Sequence, residues 1–383
     1  MTLVFTVVLV ALVFEFINGF HDTANSIATV VSTKVLTPRE AIGMAATTNL
    51  LGALSGTAVA KTIASGLVDT RVVTSEVLVC ALAGAIVWNL ITWRAGLPSS
   101  SSHALVGGLC GACIAASHND PSVVIWSIPS ERFWWEGKGL LWKVVVPMIT
   151  SPMCGLIAGF IVMTILYLLL RNWRPLKVAR VFGRAQLLSS ASMGFMHGTN
   201  DAQKTMGIIA LSLLAASQAG TLDGVPPWLG FLRVAPPSAG QPLEIATWIK
   251  VICALTMASG TAAGGWRIIR TLGHKMVRLQ PVHGFAAETT SAAVIYAATS
   301  YGIPVSTTHN ISAAIMGVGA AKNINALKWT VVERIIWALD TDDSGERAVG
   351  VRVCLVWDVG EVDRMRMCMW GGQKSVDRPT GAC

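Results

Sequence analysis

The chain has 383 residues, of which 53% are hydrophobic and 13% are charged, whereas about 25% charged residues is usual for a soluble domain. This composition excludes a soluble globular protein and predicts an all-α polytopic membrane protein with the lipid bilayer around it. The net charge of +8 does not indicate nucleic-acid binding, because the basic residues lie in short clusters between apolar runs, as is typical of cytoplasmic loops.

The first half of the chain contains five apolar stretches of about 20 residues or more, the length of a helix that crosses the hydrocarbon core. They lie at residues 3–31, 40–60, 72–93, 97–117 and 143–170. The segment that follows, residues 171–184, carries five basic residues and no acid, so the positive-inside rule predicts that it is cytoplasmic. Counting back through five crossings predicts an N-terminus outside the cell.

The first apolar stretch is interrupted by polar side chains, namely Asn18, His21, Asp22 and Asn25. An ionisable side chain at bilayer depth costs at least about 2.5 kcal/mol, so it persists where it binds or moves something. A matching segment occurs in the second half, where residues 195–205 align with residues 16–26 at an offset of 179 and Asp201 aligns with Asp22. We expect both segments to be broken helices that carry a site.

A second internal match joins residues 96–103 (GLPSSSSH) to residues 302–309 (GIPVSTTH) at an offset of 206. A Pro- and Gly-rich loop at residues 218–241 accounts for most of the difference between the two offsets. Two matches in the same order indicate an internal duplication, and an odd number of crossings per half makes the repeats inverted in topology. Whether residues 97–117 and their counterpart cross fully or form re-entrant hairpins stays open.

The duplication predicts about nine to ten membrane segments in two repeats. The predicted parts are a first transmembrane repeat at 1–170, a basic cytoplasmic connection at 171–186, a second transmembrane repeat at 187–339 and an atypical polar tail at 340–383. The tail is too polar to span a bilayer, so the second repeat is expected to lack its final span and the tail to be disordered. A soluble regulatory tail is the alternative.

The hydroxyl runs at residues 99–102 and 306–308 follow a proline, which favours the start of a helix. The free N–H groups and the positive dipole at such a start form an anion site, and the hydroxyls add donors without charge. This chemistry suits a tetrahedral oxyanion, although lone hydroxyls in membrane helices more often bond their own backbone. His103 and His309, which end the two runs, either titrate near neutral pH or order the hydroxyls.

The carboxylates of Asp22 and Asp201 are the expected partners of a cation. With Asn25 and the carbonyl groups of an unwound helix they supply the hard oxygen ligands of a small cation, and a carboxylate can instead carry a proton. Lys204 aligns with Asn25. It could neutralise Asp201, bind the anion, or form an ion pair with a purely structural role, and the sequence leaves these alternatives open. Glu288, which precedes two threonines and a serine, is a third candidate for coupling.

At these four segments the chain resembles the PiT family of inorganic phosphate transporters, over about residues 1–337. The resemblance implies symport of inorganic phosphate with H⁺ or Na⁺ in the cell inner (cytoplasmic) membrane, with phosphate carried as a divalent-metal complex in some bacterial members. It implies no resident cofactor and no structural metal, and a homodimer stays open. The phosphate-binding residues that it implies are Asn25, Ser100, Ser101, Ser102, Lys204, Ser306, Thr307 and Thr308. Asp22 and Asp201 would couple the cation.

Three alternatives remain at this stage. A hydroxyl and N–H cradle would also hold sulfate or another oxyanion. An intramembrane serine hydrolase is conceivable because Ser, His and Asp all lie at membrane depth, but Ser102 and His103 are adjacent rather than placed to face each other, so we do not expect an enzyme. A non-transporting receptor or an inactive pseudo-transporter would explain the unusual tail.

Overall fold

A computed structural model describes residues 1–65, 67–130, 137–234, 243–265, 268–269, 271 and 279–322. Apart from loops and two isolated β-bridges, these residues are helical, which confirms the all-α prediction. The expectations for the end of the second repeat and for the polar tail fall on residues 323–383, which lie outside the described residues.

The described part of the chain contains ten α-helices, which we number in chain order. They are α1 (Thr2–Ser32), α2 (Pro38–Leu54), α3 (Ala58–Ser65), α4 (Ser75–Ala95), α5 (Ser101–Ala116), α6 (Val146–Leu170), α7 (Pro175–Gln218), α8 (Thr247–Ala263), α9 (Pro281–Ser300) and α10 (Thr307–Lys322). A π-helical segment, Leu141–Val145, leads directly into α6, and the described part of the loop after α7 contains the short 3₁₀ helix Pro227–Leu232.

The predicted break in the first membrane helix is wrong. Helix α1 runs without interruption for 31 residues, from Thr2 to Ser32, through the whole polar segment. Its glycine does not unwind the helix but allows a close approach, since a Cβ on Gly19 would lie 2.4 Å from the carbonyl oxygen of Met257 in α8. The expected cation ligands from unwound carbonyl groups beside Asp22 and Asn25 are therefore absent from α1, whose carbonyl groups lie within a continuous helix.

The predicted break in the matching segment is wrong for the same reason. Helix α7 is continuous for 44 residues, from Pro175 to Gln218, and Gly198 again serves packing, because a Cβ there would lie 2.2 Å from the carbonyl oxygen of Asn49. The basic connection is helical from Pro175 onward and forms the first turns of α7. At 1.5 Å per residue this helix is about 66 Å long, roughly twice the thickness of a hydrocarbon core.

A discontinuity does occur where a single span was predicted, at residues 40–60. Helix α2 ends at Leu54 and α3 begins at Ala58, and the two are bent by 67°. By length and hydropathy three described helical segments can cross a membrane, namely Thr2–Ser32, Ser75–Ala95 and Leu141–Leu170, or four if the bent pair counts as one span. The predicted total of nine to ten segments stays a prediction.

The internal match in sequence is repeated in the turns before α5 and α10. Gly96 ends α4 with φ 69° and Gly302 follows α9 with φ 64°, and the proline and hydroxyl residues then lead into a helix of 16 residues in each half. A positive φ carries no steric cost for glycine, unlike other residues, which explains why both segments begin with that residue. Both short helices are buried over most of their length.

The packing of the long helices is repeated as well. A Cβ on Gly260 of α8 would lie 2.1 Å from the carbonyl oxygen of Phe16 in α1, and a Cβ on Gly52 of α2 would lie 2.0 Å from that of Phe195 in α7. Since Phe16 and Phe195 align at the offset of 179, the two crossings are equivalent. Each long helix therefore packs closely on the second helix of the other half.

Candidate functional site

The two polar segments of α1 and α7 and the first residues of α5 and α10 lie together in the interior. Twelve of the thirteen predicted site residues are at most 3% exposed, and Ser102 is 4% exposed. The prediction grouped these residues from two sequence matches alone. The structure brings all of them except Glu288 into one cluster, which we call the paired-motif site.

The hydroxyl of Thr308, from the second half, donates to Oδ1 of Asp22 at 3.4 Å. In the first half, Asp22 accepts from two further neighbours. Its Oδ1 atom lies 2.7 Å from His21 Nδ1, and its Oδ2 atom lies 2.6 Å from the hydroxyl oxygen of Ser101. The Ser101 hydroxyl also lies 2.7 Å from Asn18 Oδ1. A buried carboxylate needs such donors because an unpaired charge in the interior is costly.

In the second half, Asp201 has the corresponding neighbours. The hydroxyl of Thr307 donates to its Oδ2 atom at 2.8 Å, and His197 Nε2 lies 3.0 Å from the same oxygen. The ammonium group of Lys204 is in close contact with Oδ1. Ser101 and Thr307 align at the offset of 206, so each carboxylate is bound by the same position of its own half's hydroxyl run.

Other contacts cross between the halves. Asn25 Nδ2 donates to Thr308 Oγ1 at 2.8 Å and to Thr307 Oγ1 at 3.2 Å. Lys204, which aligns with Asn25, donates to the Ser102 hydroxyl in close contact and to the Val305 carbonyl oxygen at 3.0 Å. Since Ser102 and Thr308 also align, both crossed contacts follow one pattern, and the hydroxyl runs meet at the boundary between the halves.

Two of the predicted phosphate-binding hydroxyls are helix caps. Ser100 Oγ accepts from the backbone N–H of His103 at 3.2 Å, and Ser306 Oγ accepts from that of His309 at the same distance. The alternative interpretation of the hydroxyls, as partners of the backbone, therefore holds for these two. The rings of His103 and His309 contact each other edge to face, with centroids 4.8 Å apart.

The site contains atoms that can hold a cation. One ligand atom each of Asp22, His197 and Asp201 lies within 4.8 Å of the others. Asn25 Oδ1 is buried and has no hydrogen-bond partner among the described residues. Carboxylate and amide oxygens are the ligands that hard cations prefer, so these groups can bind a small cation without any change of helix geometry.

Glu288 lies in a separate polar cluster on α9. It accepts from the hydroxyls of Thr29 and Ser189 in close contacts and from Gln186 Nε2 at 3.2 Å. No described contact joins Glu288 to Asp22 or Asp201. Its predicted part in cation coupling stays a prediction, and any such part would be played at a different place from the paired-motif site.

Three further residues of this region were not among the predicted site residues. His197 contacts Asp201, and its Nδ1 atom lies 3.1 Å from Asn49 Oδ1. Asn49 of α2 thus holds an imidazole of the site. Glu15 is fully buried and accepts from the hydroxyl of Thr205. Glu15 is an acid within an apolar run, which is a sequence signal of function in a membrane segment, but its partner could not be read from the sequence.

Comparisons with known proteins identify the family of this chain. The model of the phosphate transporter family matches residues 18–339. The chain belongs to the phosphate transporter family. This match confirms the resemblance that the motifs indicated.

Relatives of this family member support the same assignment. A probable low-affinity inorganic phosphate transporter of Bacillus subtilis (strain 168) is 41% identical over 332 residues, which are 86% of this chain and 90% of that protein. One of Mycobacterium tuberculosis (strain ATCC 25618 / H37Rv) is 41% identical over 336 residues, 88% of this chain and 73% of that protein. The relatives are named as transporters, which confirms the expectation that the chain is not an enzyme.

A solved structure described as the sodium-dependent phosphate transporter has the same fold. It aligns with this phosphate transporter family member at a TM-score of 0.74 and 23% identity, and the alignment covers 94% of this chain and 100% of that one. The likeness confirms the predicted fold class of an all-α membrane protein.

One feature of this family member resembles a hydrolase triad. Ser99 Oγ lies 3.4 Å from His21 Nε2, whose ring is bound to Asp22 on its other side. However, the Ser99 hydroxyl is fully buried and donates its proton to Thr92 Oγ1 at 2.7 Å. A nucleophile whose proton is directed away from the base is not activated, so the contact orients His21.

Proposed function

We propose that this chain is a secondary active transporter that carries inorganic phosphate together with a cation. The observation that supports this most directly is the convergence of two hydroxyl-bearing helix starts, those of α5 and α10, on the carboxylates of Asp22 and Asp201. Helix starts supply free N–H groups and positive potential for an anion, and the carboxylates supply a place for the cation. The names of the relatives support phosphate as the anion.

The site chemistry favours phosphate over sulfate. Near neutral pH phosphate still carries at least one proton, whereas sulfate carries none. A carboxylate can only accept hydrogen bonds, so Asp22 and Asp201 would accept the phosphate proton but would repel an unprotonated sulfate. We therefore expect arsenate, which also retains a proton, to compete with labelled phosphate uptake, and sulfate not to compete.

The hydrogen bonds suggest how the anion and the cation are coupled. The hydroxyls of Ser101 and Thr307 donate to the two aspartates, and the same protons would be needed by phosphate oxygens. When the anion takes these donors, the carboxylates lose their partners and require a cation in exchange. Binding of phosphate and binding of the cation therefore favour each other, which is the requirement for symport.

The ligand types favour Na⁺ or H⁺ as the coupling cation and do not choose between them. Asp22 with the open amide oxygen of Asn25 can hold Na⁺, and a carboxylate can equally take up H⁺. Phosphate could also enter as a divalent-metal complex, with the metal as cargo. Counterflow of phosphate in liposomes with an imposed sodium gradient, proton gradient or divalent metal separates these cases.

Alternating access is the proposed mechanism. The crossed contacts, Asn25 to Thr308 and Lys204 to Ser102, join one half to the other across the hydroxyl runs. A rocking motion of one inverted repeat against the other would break or form these contacts first, and thereby open the site to one side of the membrane. The rings of His103 and His309 meet at the same boundary, and we assign them the ordering of the hydroxyl runs.

The proposal is tested by removing one carboxylate charge at a time. In proteoliposomes, Asp22→Asn and Asp201→Asn are each expected to reduce cation-driven phosphate uptake by at least 100-fold, because either change removes a hydroxyl acceptor and a cation ligand together. Initial rates of labelled phosphate uptake measure the effect, and size-exclusion chromatography verifies that the variants fold.

A matched control is Asp120→Asn. Asp120 is exposed and caps a short 3₁₀ helix, where it accepts from Ser122 N at 2.9 Å, so the same chemical change far from the site should leave uptake at the wild-type rate. Wild-type rates in either Asp22→Asn or Asp201→Asn would contradict the proposal. Phosphate binding without flux in the unaltered chain would instead support the receptor or pseudo-transporter alternative.

A further inference from the structure

Two sets of contacts are repeated in the paired-motif site, from each hydroxyl run to the aspartate of its own half and from Asn25 or Lys204 to the run of the opposite half. Asn25 and Lys204 align at the offset of 179, and each reaches the last hydroxyl of the opposite half's run, Thr308 or Ser102. One of the two is a neutral amide and the other is a cation. The two halves therefore have the same framework but differ by one positive charge at equivalent places.

On the Asn25 side, the framework is open to a cation. The amide nitrogen is used by Thr307 and Thr308, while Oδ1 is buried with no hydrogen-bond partner among the described residues. Asp22 contributes carboxylate oxygens on the same helix, one turn earlier. A buried oxygen with an unused lone pair and a carboxylate nearby can together coordinate a small cation.

On the Lys204 side, the equivalent place is already filled. The ammonium group is 3% exposed, and it has three oxygen partners: a carboxylate oxygen of Asp201, the hydroxyl of Ser102 and the carbonyl of Val305. An ammonium group has three donors, so none remains for a phosphate oxygen. This set of carboxylate, hydroxyl and carbonyl oxygens is also what a small monovalent cation would coordinate.

We propose that the Lys204 ammonium permanently takes the place of one of two coupling cations, so that a mobile cation binds only on the Asp22 and Asn25 side. The inference rests on the proposed symport and deepens it. With neutral imidazoles, the formal charges of Asp22, Asp201 and Lys204 sum to −1. Before phosphate binds, a single monovalent cation balances these three side chains, whereas the two aspartates with Asn at both positions would need two.

The test is the reaction order of phosphate uptake in the cation. Initial rates of labelled inorganic phosphate uptake into proteoliposomes are measured at low phosphate and low cation, with sodium varied at fixed pH and then protons varied at fixed sodium. The slope of log rate against log concentration of the driving cation is expected to be 1 for the wild-type protein. It should rise to 2 in Lys204→Asn, which restores the residue of the first half, and fall to 0 in Asn25→Lys.

Two controls separate this role from a structural one. Lys204→Arg keeps the charge and should retain a slope of 1 at whatever rate it supports. Lys177→Asn makes the same chemical change at an exposed position near the start of α7, where the lysine lies over the Trp173 ring, and should retain both the slope and the rate. A purely structural ion pair would lower the rate of Lys204→Asn without changing its slope.

The outcomes are distinguishable. A slope of 2 in the wild type overturns the inference, and so does an unchanged slope in Lys204→Asn. If Lys204→Asn keeps the wild-type slope but loses affinity for phosphate at saturating cation, Lys204 binds the anion instead. If Lys204→Asn does not fold, the slopes of the wild type and of Asn25→Lys still decide. If the wild type takes up no phosphate under any cation gradient, the proposed function has failed and not this inference.

Discussion

Among single residues, the imidazoles show how the duplication has diverged. At the offset of 179, Asn18 aligns with His197 and His21 aligns with Asn200. Each half thus contains one histidine and one asparagine at the same two positions, but in exchanged order. Both histidines contact the aspartate of their own half, His21 at 2.7 Å and His197 at 3.0 Å. Each aspartate therefore has one imidazole neighbour, but the sequence position that supplies this imidazole differs between the two halves.

This exchange leads to a prediction about the first half. His21→Asn alone removes the imidazole from Asp22 and should lower phosphate uptake by at least 10-fold, because the buried carboxylate loses a donor. The double variant Asn18→His with His21→Asn copies the order found in the second half. It should recover uptake to within about 3-fold of the wild type, measured as initial rates in proteoliposomes.

The control for this prediction is Asn18→His alone, which adds a second imidazole next to Asp22 and should not exceed the wild-type rate. The exchange hypothesis fails if the double variant is no better than His21→Asn. In that case the position of the ring matters as well as its presence, and the contact of His21 Nε2 with Thr92 at 3.3 Å would be the reason.

The sequence predicted the membership of the site better than its contacts. Two internal matches were enough to bring together Asp22, Asp201 and the hydroxyl runs, because a duplicated polar segment in a membrane has few uses other than a site. They could not show that Asn25 reaches Thr308 rather than Ser102. Alignment identifies equivalent residues, but which half a side chain faces depends on the three-dimensional crossing of the helices.

Among the helices, glycines decide how closely α1 and α7 approach their partners. The sequence analysis predicted breaks in the two polar segments that contain Gly19 and Gly198, and this was wrong because both glycines lie at helix crossings within continuous helices. Glycine weakens a helix by only about 1 kcal/mol relative to alanine, which tertiary packing easily offsets. Small residues at membrane helix crossings permit close backbone contact. The sequence pattern alone does not distinguish the two roles.

Helix α2 contains a matched pair of glycines that tests this packing role. A Cβ on Gly52 would lie 2.0 Å from the Phe195 carbonyl oxygen, whereas a Cβ on Gly43 would meet nothing within 4 Å. Gly52→Ala should therefore push α2 away from α7 and cost about 1–3 kcal/mol, as overpacking does. Gly43→Ala should be neutral or slightly stabilising, since alanine is the better helix former.

Thermal unfolding of the two variants in the same detergent measures the difference. We expect the apparent Tm of Gly52→Ala to fall by several degrees and its phosphate uptake to decrease, because α2 also carries Asn49, which holds His197. Equal Tm values for the two variants would show that the α2–α7 crossing can relax without cost, contrary to the close packing that is observed.

For the whole molecule, the two halves form a single site at their boundary rather than one site each. Each carboxylate is bound by its own half's hydroxyl run, and each of Asn25 and Lys204 binds the run of the other half. Neither half could therefore complete the cluster alone. The sequence predicted the duplication, and with it the fold class, but this division of contacts between halves depends on the assembled structure.

The orientation of the whole chain in the membrane stays a prediction, which we make from charge and length. Helix α7 is far longer than a bilayer is thick, so its basic first turns project from the membrane, and the positive-inside rule predicts that they are cytoplasmic. Two crossings from an external N-terminus place the loop after α3 outside. In a functional cysteine-free variant, Arg71→Cys should react with a membrane-impermeant maleimide in intact cells, whereas Lys177→Cys should react only after permeabilisation. Both side chains are exposed, so a difference in labelling would report the side of the membrane and not burial within the protein. The reverse labelling pattern would show that the chain is inserted in the opposite orientation.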